Sequence, residues 1–506
     1  MTCALSDPEA RTYIKNSLSA VVKGYFKDVD AIAGVATAGI AQGALVADFL
    51  DLPFCYVRPE PKKHGMGNQI EGSVKPGQKV VLIEKDKLGG TCLHKGCIPT
   101  KALLHAGEIA DSTRHAGDFG VKADFHSMDM NAVNSYKDGV VSKLHKGLEG
   151  LVKSRNITYV QGAGKLVSKN TVEVNGEKYT GKNIILATGS YPKTLPGLEI
   201  DGKQVMTSEQ AIKLDYVPKS VIVLGGGVIG CEFASVWKSF GSEVTIIEGL
   251  PHLVALEDES SSKLLERAFR KRGINFELGV KFKSAELKKK EVKITLEDGK
   301  EFSAEILLVA VGRGPVSAGL GYEEAGIKLD RGHVVVDNKC RTNVAGIWAV
   351  GDLIPTLQLA HVGFAEGIMV AEEIAGLNPR AINYDGVPRV TYSEPEVASV
   401  GITTAAAKAA GHDVVELNYD LAGNGKANIL KTAGSVKLVA KKNGPILGIH
   451  MVGSRVGELL AEAQLIFNWE ADAADVAQHI HAHPTLSEAM GEAHLALAGK
   501  PLHAHG

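Results

Sequence analysis

No stretch of this 506-residue chain stays apolar for the ~18 residues a membrane helix needs, so no helical span is expected. The opening MTCALSDPEA lacks a basic segment leading into an apolar core. No signal peptide is therefore expected, and the cytoplasm is the default compartment. The formal net charge is −2 with no long charge run, so nothing favours nucleic acid as a partner. Cysteine is scarce. Six residues in this length are not the framework of a small secreted domain, and Cys3, Cys55, Cys231 and Cys340 stand isolated. No short-period repeat, low-complexity tract or metal-ligand cluster is visible. Glycine, by contrast, is plentiful at 57 residues, which suits nucleotide loops and tight turns. The length suggests about three domains.

Two of the scarce cysteines sit five apart in LGGTCLHKGCIPTK, residues 88–101. A disulfide needs Cα atoms within ~7 Å. Positions i and i+5 of a regular helix are already ~7.5 Å apart along the axis. Cys92 and Cys97 can therefore bridge only where the backbone leaves a plain helix. Gly89, Gly90 and Gly96 supply that freedom, and Pro99 suits the first turn of a helix expected to continue from Thr100. A thiol near a helix N-terminus has its thiolate favoured, and thiolates attack disulfides. The alternative is a buried structural pair. The glycine, proline and lysine setting favours a redox-active dithiol.

Gly225-Gly226-Gly227-Val228-Ile229-Gly230 follows the apolar strand VIVL and opens a helix, the context a dinucleotide loop requires. In the pattern Gly225, Gly227, Gly230, the first glycine makes the turn and the second lets backbone approach a pyrophosphate. The third packs helix on strand, and the helix N-terminus faces the phosphates. Glu248 closes the strand VTIIE eighteen residues past Gly230. A carboxylate there accepts from a ribose 2′-hydroxyl and repels a 2′-phosphate, which argues for NAD over its phosphorylated form. In HPTLSE, Glu488 stands five residues after His483, a pair in which a carboxylate can orient an imidazole and make it more basic. By itself this pair is as compatible with a surface histidine near a helix start. It gains meaning beside a dithiol, which needs a proton acceptor.

From about Val80 onward the chain carries GGTCLHKGCIPTK, ATGS, GGGVIGCEF, VGRGP, GIWAVGDL, QLAHV, SEPEVASVG and HAHPTLSE, in that order. The series resembles the dihydrolipoyl dehydrogenases, flavin-dependent members of the pyridine nucleotide-disulfide oxidoreductases. The resemblance implies that Cys92 exchanges with dihydrolipoamide and that Cys97 faces the flavin. It implies that His483, held by Glu488, takes the substrate proton from across a homodimer. Lys101 and Glu232 would lie beside isoalloxazine and nicotinamide. FAD would be met by Glu84 at its adenosine ribose and Asp352 at its ribityl chain, with Gly164, Thr188, Gly189, Ser190 and Ala360 lining its site. Gly312 would join Gly225, Gly227, Gly230, Glu232 and Glu248 around NAD. The implied partner is dihydrolipoamide on a lipoyl domain of a 2-oxoacid dehydrogenase complex. Glutathione reductases usually carry basic residues where Glu248 sits, and mercuric reductases carry extra C-terminal cysteines that this chain lacks.

One family piece is missing. A glycine fingerprint for the FAD pyrophosphate should precede Glu84 by about thirty residues, yet residues 31–43 offer only Gly34, Gly39 and Gly43. Gly39 lies 45 residues before Glu84, against the ~20 of a dinucleotide unit. Residues 1–83 instead resemble the middle of orotate phosphoribosyltransferases, through EARTYIKNSL, DAIAGVATAGIAQGALVADFLDLPFCYVR and PKKHGMGNQIEG. In that family a basic loop, here Arg58, Lys62 and His64, contacts pyrophosphate. The two resemblances meet at VVLIE, and each loses its main phosphate cradle there. The helix heading from Thr37-Ala38-Gly39 is a substitute cradle to consider.

The expected fold is α/β, with two Rossmann-like domains for FAD and NAD and an α+β C-terminal dimerisation domain. The first FAD βαβ unit is replaced by a phosphoribosyltransferase-like segment. The expected divisions are 1–79 for that segment, 80–205 with 331–385 for FAD, 206–330 for NAD and 386–506 for the interface. Three functions stand side by side: a lipoamide oxidoreductase, a phosphoribosyltransferase-type module on a reductase body, and a fusion that binds NAD alone.

Overall fold

The computed structural model describes residues 8–25, 32–35, 50, 54–57, 70–71 and 79–503. The chain divides into two compact units, Met1–Val80 and Val81–Gly506. In the first, helix Pro8–Tyr25 begins with proline, whose fixed φ suits a first helical position. Strands Ile32–Val35 and Phe54–Val57 pair in parallel, and Ile70–Glu71 pairs antiparallel with the second. Arg58, Lys62, His64 and the turn at 37–39 lie outside the described residues.

The second unit is organised around a five-stranded parallel sheet. Its spatial order is Val205–Met206, Ile306–Val309, Ser220–Leu224, Glu243–Ile247, Ile274–Glu277. Strands of such a sheet are covered on both faces and so read as unbroken apolar runs. Val221, Ile222, Val223 and Leu224 are all buried, as are Ile306 to Val309. The chain order reverses at Ser220–Leu224, whose neighbours are the next strand on one side and the last on the other. Ligands of doubly wound sheets bind at such a switch point, beyond the C-terminal strand ends. The run ITLEDGKEFSA folds as a hairpin, Val292–Leu296 against Glu301–Ala304, with Gly299 at φ +86° in the turn.

Two further parallel pairs stand apart. Among the described residues, Val81–Glu84 has Thr158–Gln161 as its only strand neighbour, and Ile184–Leu186 has only Ile347–Ala349. Two-stranded parallel sheets leave side chains open that larger sheets cover. Val81 and Ile185 are accordingly 41% and 43% exposed.

The C-terminal part is an antiparallel sheet of five strands, Arg389–Thr391, Glu396–Gly401, Ile446–Gly453, Ser435–Lys441 and Val414–Asp420. Helices Val456–Asn468 and Glu488–Leu497 bury Leu460, Ala463, Ile466, Ala489, Met490 and Ala493 in one core with it. Among the described residues no helix is long and apolar enough to cross a membrane, and no cluster of three or more His, Cys, Asp or Glu is placed to hold a metal ion.

The antiparallel sheet is joined to the parallel-sheet region by Asp258. Its side chain caps helix Glu259–Arg272 through Ser260 N, accepts from Thr404 N at 3.0 Å, and meets Lys437 Nζ at 2.9 Å. His450 lies in the same region, 1% exposed, with Nε2 donating to Ile402 O at 3.1 Å and Nδ1 unpartnered. Burial pushes its pKa down to about 4; Asp258 favours the cation, while Arg389 and Lys437 oppose it. The unfolded chain therefore takes up this proton first as pH falls. The stabilisation is complete above the ordinary value of 6.5 and is lost towards about 4. Between about pH 7 and pH 5 the loss should be about 2 kcal/mol. Denaturation midpoints of the parent and His450→Gln chains at the two pH values check this: the parent should fall further, and parallel falls would contradict it.

Candidate functional site

The dithiol segment forms two helices rather than one beginning at Thr100. Gly90–Lys95 is a short helix entered through Gly89, at φ +111°, where an added Cβ would stand 2.4 Å from Leu93 Cδ2. Gly96 breaks the path, and Cys97 is the first residue of helix Cys97–Arg114, with Pro99 buried in its first turn. The break is the departure from plain helix that the cysteine spacing required. Both cysteines are half-buried free thiols.

Their environments separate them. Hydrogen bonding from the Cys92 thiol, assisted by the Lys101 charge, lowers Cys97 to about 7 against the opposing effect of burial. The same hydrogen bond, together with burial, raises Cys92. The reduced pair thus holds its negative charge on Cys97, at a helix N-terminus where the dipole favours it.

One helical turn on, Lys101 Nζ donates to both oxygens of Glu232 at 2.8 Å. Glu232 is 3% exposed. Burial works against the Lys101 ammonium, yet Glu232 outweighs it and raises the pKa. Glu232 lies two residues past Gly230 on helix Val228–Phe240. One ion pair therefore ties the dithiol helix to the helix opened by the glycine turn.

In that turn the three glycines are needed for different reasons. Gly225 has φ +109°, and an added Cβ would lie 2.4 Å from Ala310 O. At Gly230 it would lie 1.9 Å from Gly225 O, so helix and turn touch there. At Gly227, the N-cap, nothing stands within 4 Å. This is the open side, and with no side-chain cap the first N–H groups of the helix remain available to an anion. Glu248 Oε2 accepts from Gly226 N at 2.5 Å and Oε1 from Leu250 N at 2.7 Å, which fixes its carboxylate at the rim. Gly312 has φ +104° with open space around it.

A third group lies by the second parallel pair. Ser190 Oγ donates to Asp352 Oδ2 at 2.5 Å, and Arg313 Nε donates to Ser190 Oγ at 2.7 Å. Thr188 Oγ1 donates to Val316 O at 2.6 Å, and Gly189 O accepts from Val316 N at 2.9 Å. Asp352 sits in a turn held by the buried Glu366, which accepts from Gly351 N, Thr356 Oγ1 and Tyr384 OH. Ala360 starts helix Ala360–Ile374, which has no side-chain cap.

Glu84 Oε1 accepts from Asp86 N at 2.8 Å, matching the Glu248–Leu250 bond at the end of another parallel strand. The likeness ends there, since Glu248 also holds a glycine N–H and Glu84 has no such partner among the described residues. Gly164 brings backbone close to the strand of Glu84; its added Cβ would lie 3.2 Å from Ile83 Cγ2.

His483 Nδ1 pairs with Glu488 Oε1 at 2.8 Å, and Glu488 Oε2 accepts from Thr485 N at 2.8 Å. Burial opposes the Glu488 charge, but the Thr485 N–H and His483 outweigh it and lower the pKa. His483 is 78% exposed at its side chain, and no described hydrogen bond or ion pair links it to either cysteine within the chain. His481, two residues earlier, forms a second such pair with Glu462 at 2.7 Å, which the alternating HIHAH spacing could have suggested. Tyr392 had no sequence signal, because its partners Lys101 and Glu232 lie far away in the chain; Arg313 stands in the VGRGP stretch, but that stretch does not name Ser190 as its partner.

A glycine turn at the switch point of a parallel sheet, tied by an ion pair to a dithiol with one activated sulfur, defines a nucleotide-dependent disulfide oxidoreductase. The sequence matches the pyridine nucleotide-disulphide oxidoreductase family over residues 69–367 and that family's dimerisation domain over residues 387–494. The chain belongs to this family, whose members are FAD- and NAD(P)-binding enzymes. It is 42% identical over 447 residues to a dihydrolipoyl dehydrogenase of Bacillus subtilis, covering 84% of this chain and 94% of that protein. It is 39% identical over 442 residues to the mitochondrial dihydrolipoyl dehydrogenase of Pisum sativum, covering 84% and 88%. Among solved structures, LpdA of Mycobacterium tuberculosis is similar with a TM-score of 0.78 at 25% identity, covering 83% of this chain and 94% of that one. The HOCl-induced flavoprotein disulfide reductase RclA of Escherichia coli is similar with a TM-score of 0.74 at 26% identity, covering 83% and 94%.

Proposed function

We propose that the chain is a dihydrolipoyl dehydrogenase: dihydrolipoamide and NAD+ give lipoamide, NADH and a proton. The observation that carries this reading is the chain of contacts Cys97, Lys101, Glu232 and Gly230, which leads from the activated sulfur to the nicotinamide-nucleotide turn. A flavin fits the redox end. Asp352 and Ser190 offer polar groups to a ribityl chain, the uncapped helix start at Ala360 offers N–H groups, and Lys101 and Glu232 would lie beside isoalloxazine and nicotinamide. Thr188 and Gly189 would line the same side. The adenosine end supplies Glu84 and Gly164 without a glycine turn among the described residues. FAD, when bound, relays the electron pair between dithiol and nicotinamide.

The protein's own residues do the rest. With the pair oxidised, His483 Nε2 takes a thiol proton from dihydrolipoamide, and Glu488 holds the imidazole through Nδ1. The freed thiolate attacks Cys92, forming a mixed disulfide and releasing Cys97 as thiolate. The second substrate thiol then attacks the substrate sulfur of that disulfide and closes lipoamide; its proton passes to the departing Cys92 sulfur, leaving a Cys92 thiol and a Cys97 thiolate, and the proton on His483 goes to solvent. Because His483 is exposed and unlinked to the dithiol of its own chain, it serves a second copy across a twofold axis, in keeping with the family's dimerisation domain. Gly225, Gly227, Gly230 and Gly312 receive NAD, and Glu248 receives its adenosine ribose.

The reading includes the divisions 80–205 with 331–385 for FAD, 206–330 for NAD and 386–506 for the interface. The substrate would be presented on a lipoyl domain of a 2-oxoacid dehydrogenase complex. The reading keeps the cytoplasm as the default compartment. Residues 1–79 are read as a phosphoribosyltransferase-like segment in which Arg58, Lys62 and His64 would be the vestige of a pyrophosphate-contacting loop.

The visible spectrum of the purified protein, before and after adding FAD, tests the central claim. A flavin band that stays with the protein through gel filtration is expected. A colourless protein that cannot be reconstituted would end the reductase reading and leave NAD binding and thiol chemistry.

A further inference from the structure

Three segments meet at Lys101. Its own helix carries Cys97 at the first position. Helix Val228–Phe240 brings Glu232, both of whose oxygens lie 2.8 Å from Nζ. The residue following strand Arg389–Thr391 is Tyr392, whose ring centroid is 4.7 Å from Nζ. The Tyr392 N–H also donates to Glu232 Oε1 at 3.0 Å. The ammonium thus stands between a buried carboxylate and a π face. A cation over a ring face is attracted to the ring quadrupole, the more so when water is excluded.

We propose that Tyr392 is a positioning residue for the redox centre, its ring holding Lys101 in place so that the ammonium supports the Cys97 thiolate. The inference rests on the reading of Cys92 and Cys97 as the redox pair. It gives the C-terminal part of the chain a role at the dithiol of the same chain. The groups acting on Cys97 are Cys92 from its own turn, Lys101 from its helix, Glu232 from the glycine-turn helix and Arg313 from strand Arg313–Pro315. Lys101 and Arg313 favour the thiolate, and Glu232 opposes it. The attraction needs the ring and not the hydroxyl. The backbone bond to Glu232 is untouched by any side-chain change at 392.

The test is the pH profile of Cys97 alkylation in the reduced full-length chain. Initial rates with iodoacetamide are read by mass spectrometry after trypsin. Lys95 lies between the two cysteines, so Cys97 appears alone in peptide Gly96–Lys101. The parent should titrate at about 7. Tyr392→Leu should move the profile to higher pH and cut the reactive fraction near neutrality about five- to tenfold. Tyr392→Phe should stay within about twofold of the parent. A leucine profile superimposed on the parent's overturns the proposal. So does a phenylalanine variant that falls as far as leucine, or a leucine variant that no longer binds NADH, which would make the ring a packing element. A parent that alkylates like an ordinary thiol removes the activated dithiol itself, and with it both this inference and the reading beneath it.

Discussion

Cys97→Ser is expected to abolish lipoamide-dependent NADH oxidation, a loss on the order of 10⁴-fold or more. The magnitude follows from the chemistry rather than from packing. The thiolate of Cys97 is the group that leaves when dihydrolipoamide attacks Cys92, and the same sulfur passes the electron pair onward. A serine oxygen cannot form or break the disulfide. The structure adds why this sulfur of the two should matter in both half-reactions: Cys97 is the one held at about 7, at a helix start and in the field of Lys101. NADH binding should survive, since the glycine turn lies on another helix. Steady-state rates with lipoamide and NADH, beside a fluorescence titration with NADH, check both halves. Residual activity within tenfold of the parent would remove Cys97 from the mechanism.

Gly230→Ala should weaken NAD binding by about tenfold to a hundredfold, from about 1–3 kcal/mol of forced rearrangement. The added methyl would stand 1.9 Å from the carbonyl oxygen of Gly225. The clashing oxygen is backbone, so no side chain can swing away to relieve it. The helix start must retreat from the turn, taking with it the N–H groups offered to the pyrophosphate and displacing Glu232 from Lys101. Gly139→Ala is the matching control. It lies on the exposed face of helix Met130–Ser154 with nothing within 4 Å of its added Cβ, and alanine there should stabilise that helix slightly. NAD affinity measured calorimetrically for the two variants separates the effects. Equal affinities would show that the turn does not set the pyrophosphate position.

Cys97 and Gly230 are legible in the sequence because their roles are local. Cys92 and Cys97 are tied by a spacing that a plain helix forbids, and Gly96 stands where the backbone has to turn. Gly225, Gly227 and Gly230 lie within one strand–turn–helix step, and the strand VTIIE carries Glu248 to the edge of the same turn. Local geometry also sets the hairpin at Gly299 and the carboxylate beside His483. The helix start is less legible. It falls at Cys97, not Thr100, because Gly96 ends one short helix and lets the next begin at once.

What the chain order does not contain is which distant segments come together. Lys101 and Glu232 meet because helix Cys97–Arg114 packs against the glycine-turn helix, and Tyr392 joins them only through the C-terminal sheet. Ser190, Arg313 and Asp352 form one polar group from two strand starts and a separate turn. The exposed flanks of Val81 and Ile185 likewise become visible only once each strand is seen to have a single neighbour among the described residues. Short-range sterics and dipoles act between residues a few bonds apart, so they leave a pattern in sequence. Ion pairs, π contacts and shared burial depend on distance in space, and for these residues only the tertiary packing decided it.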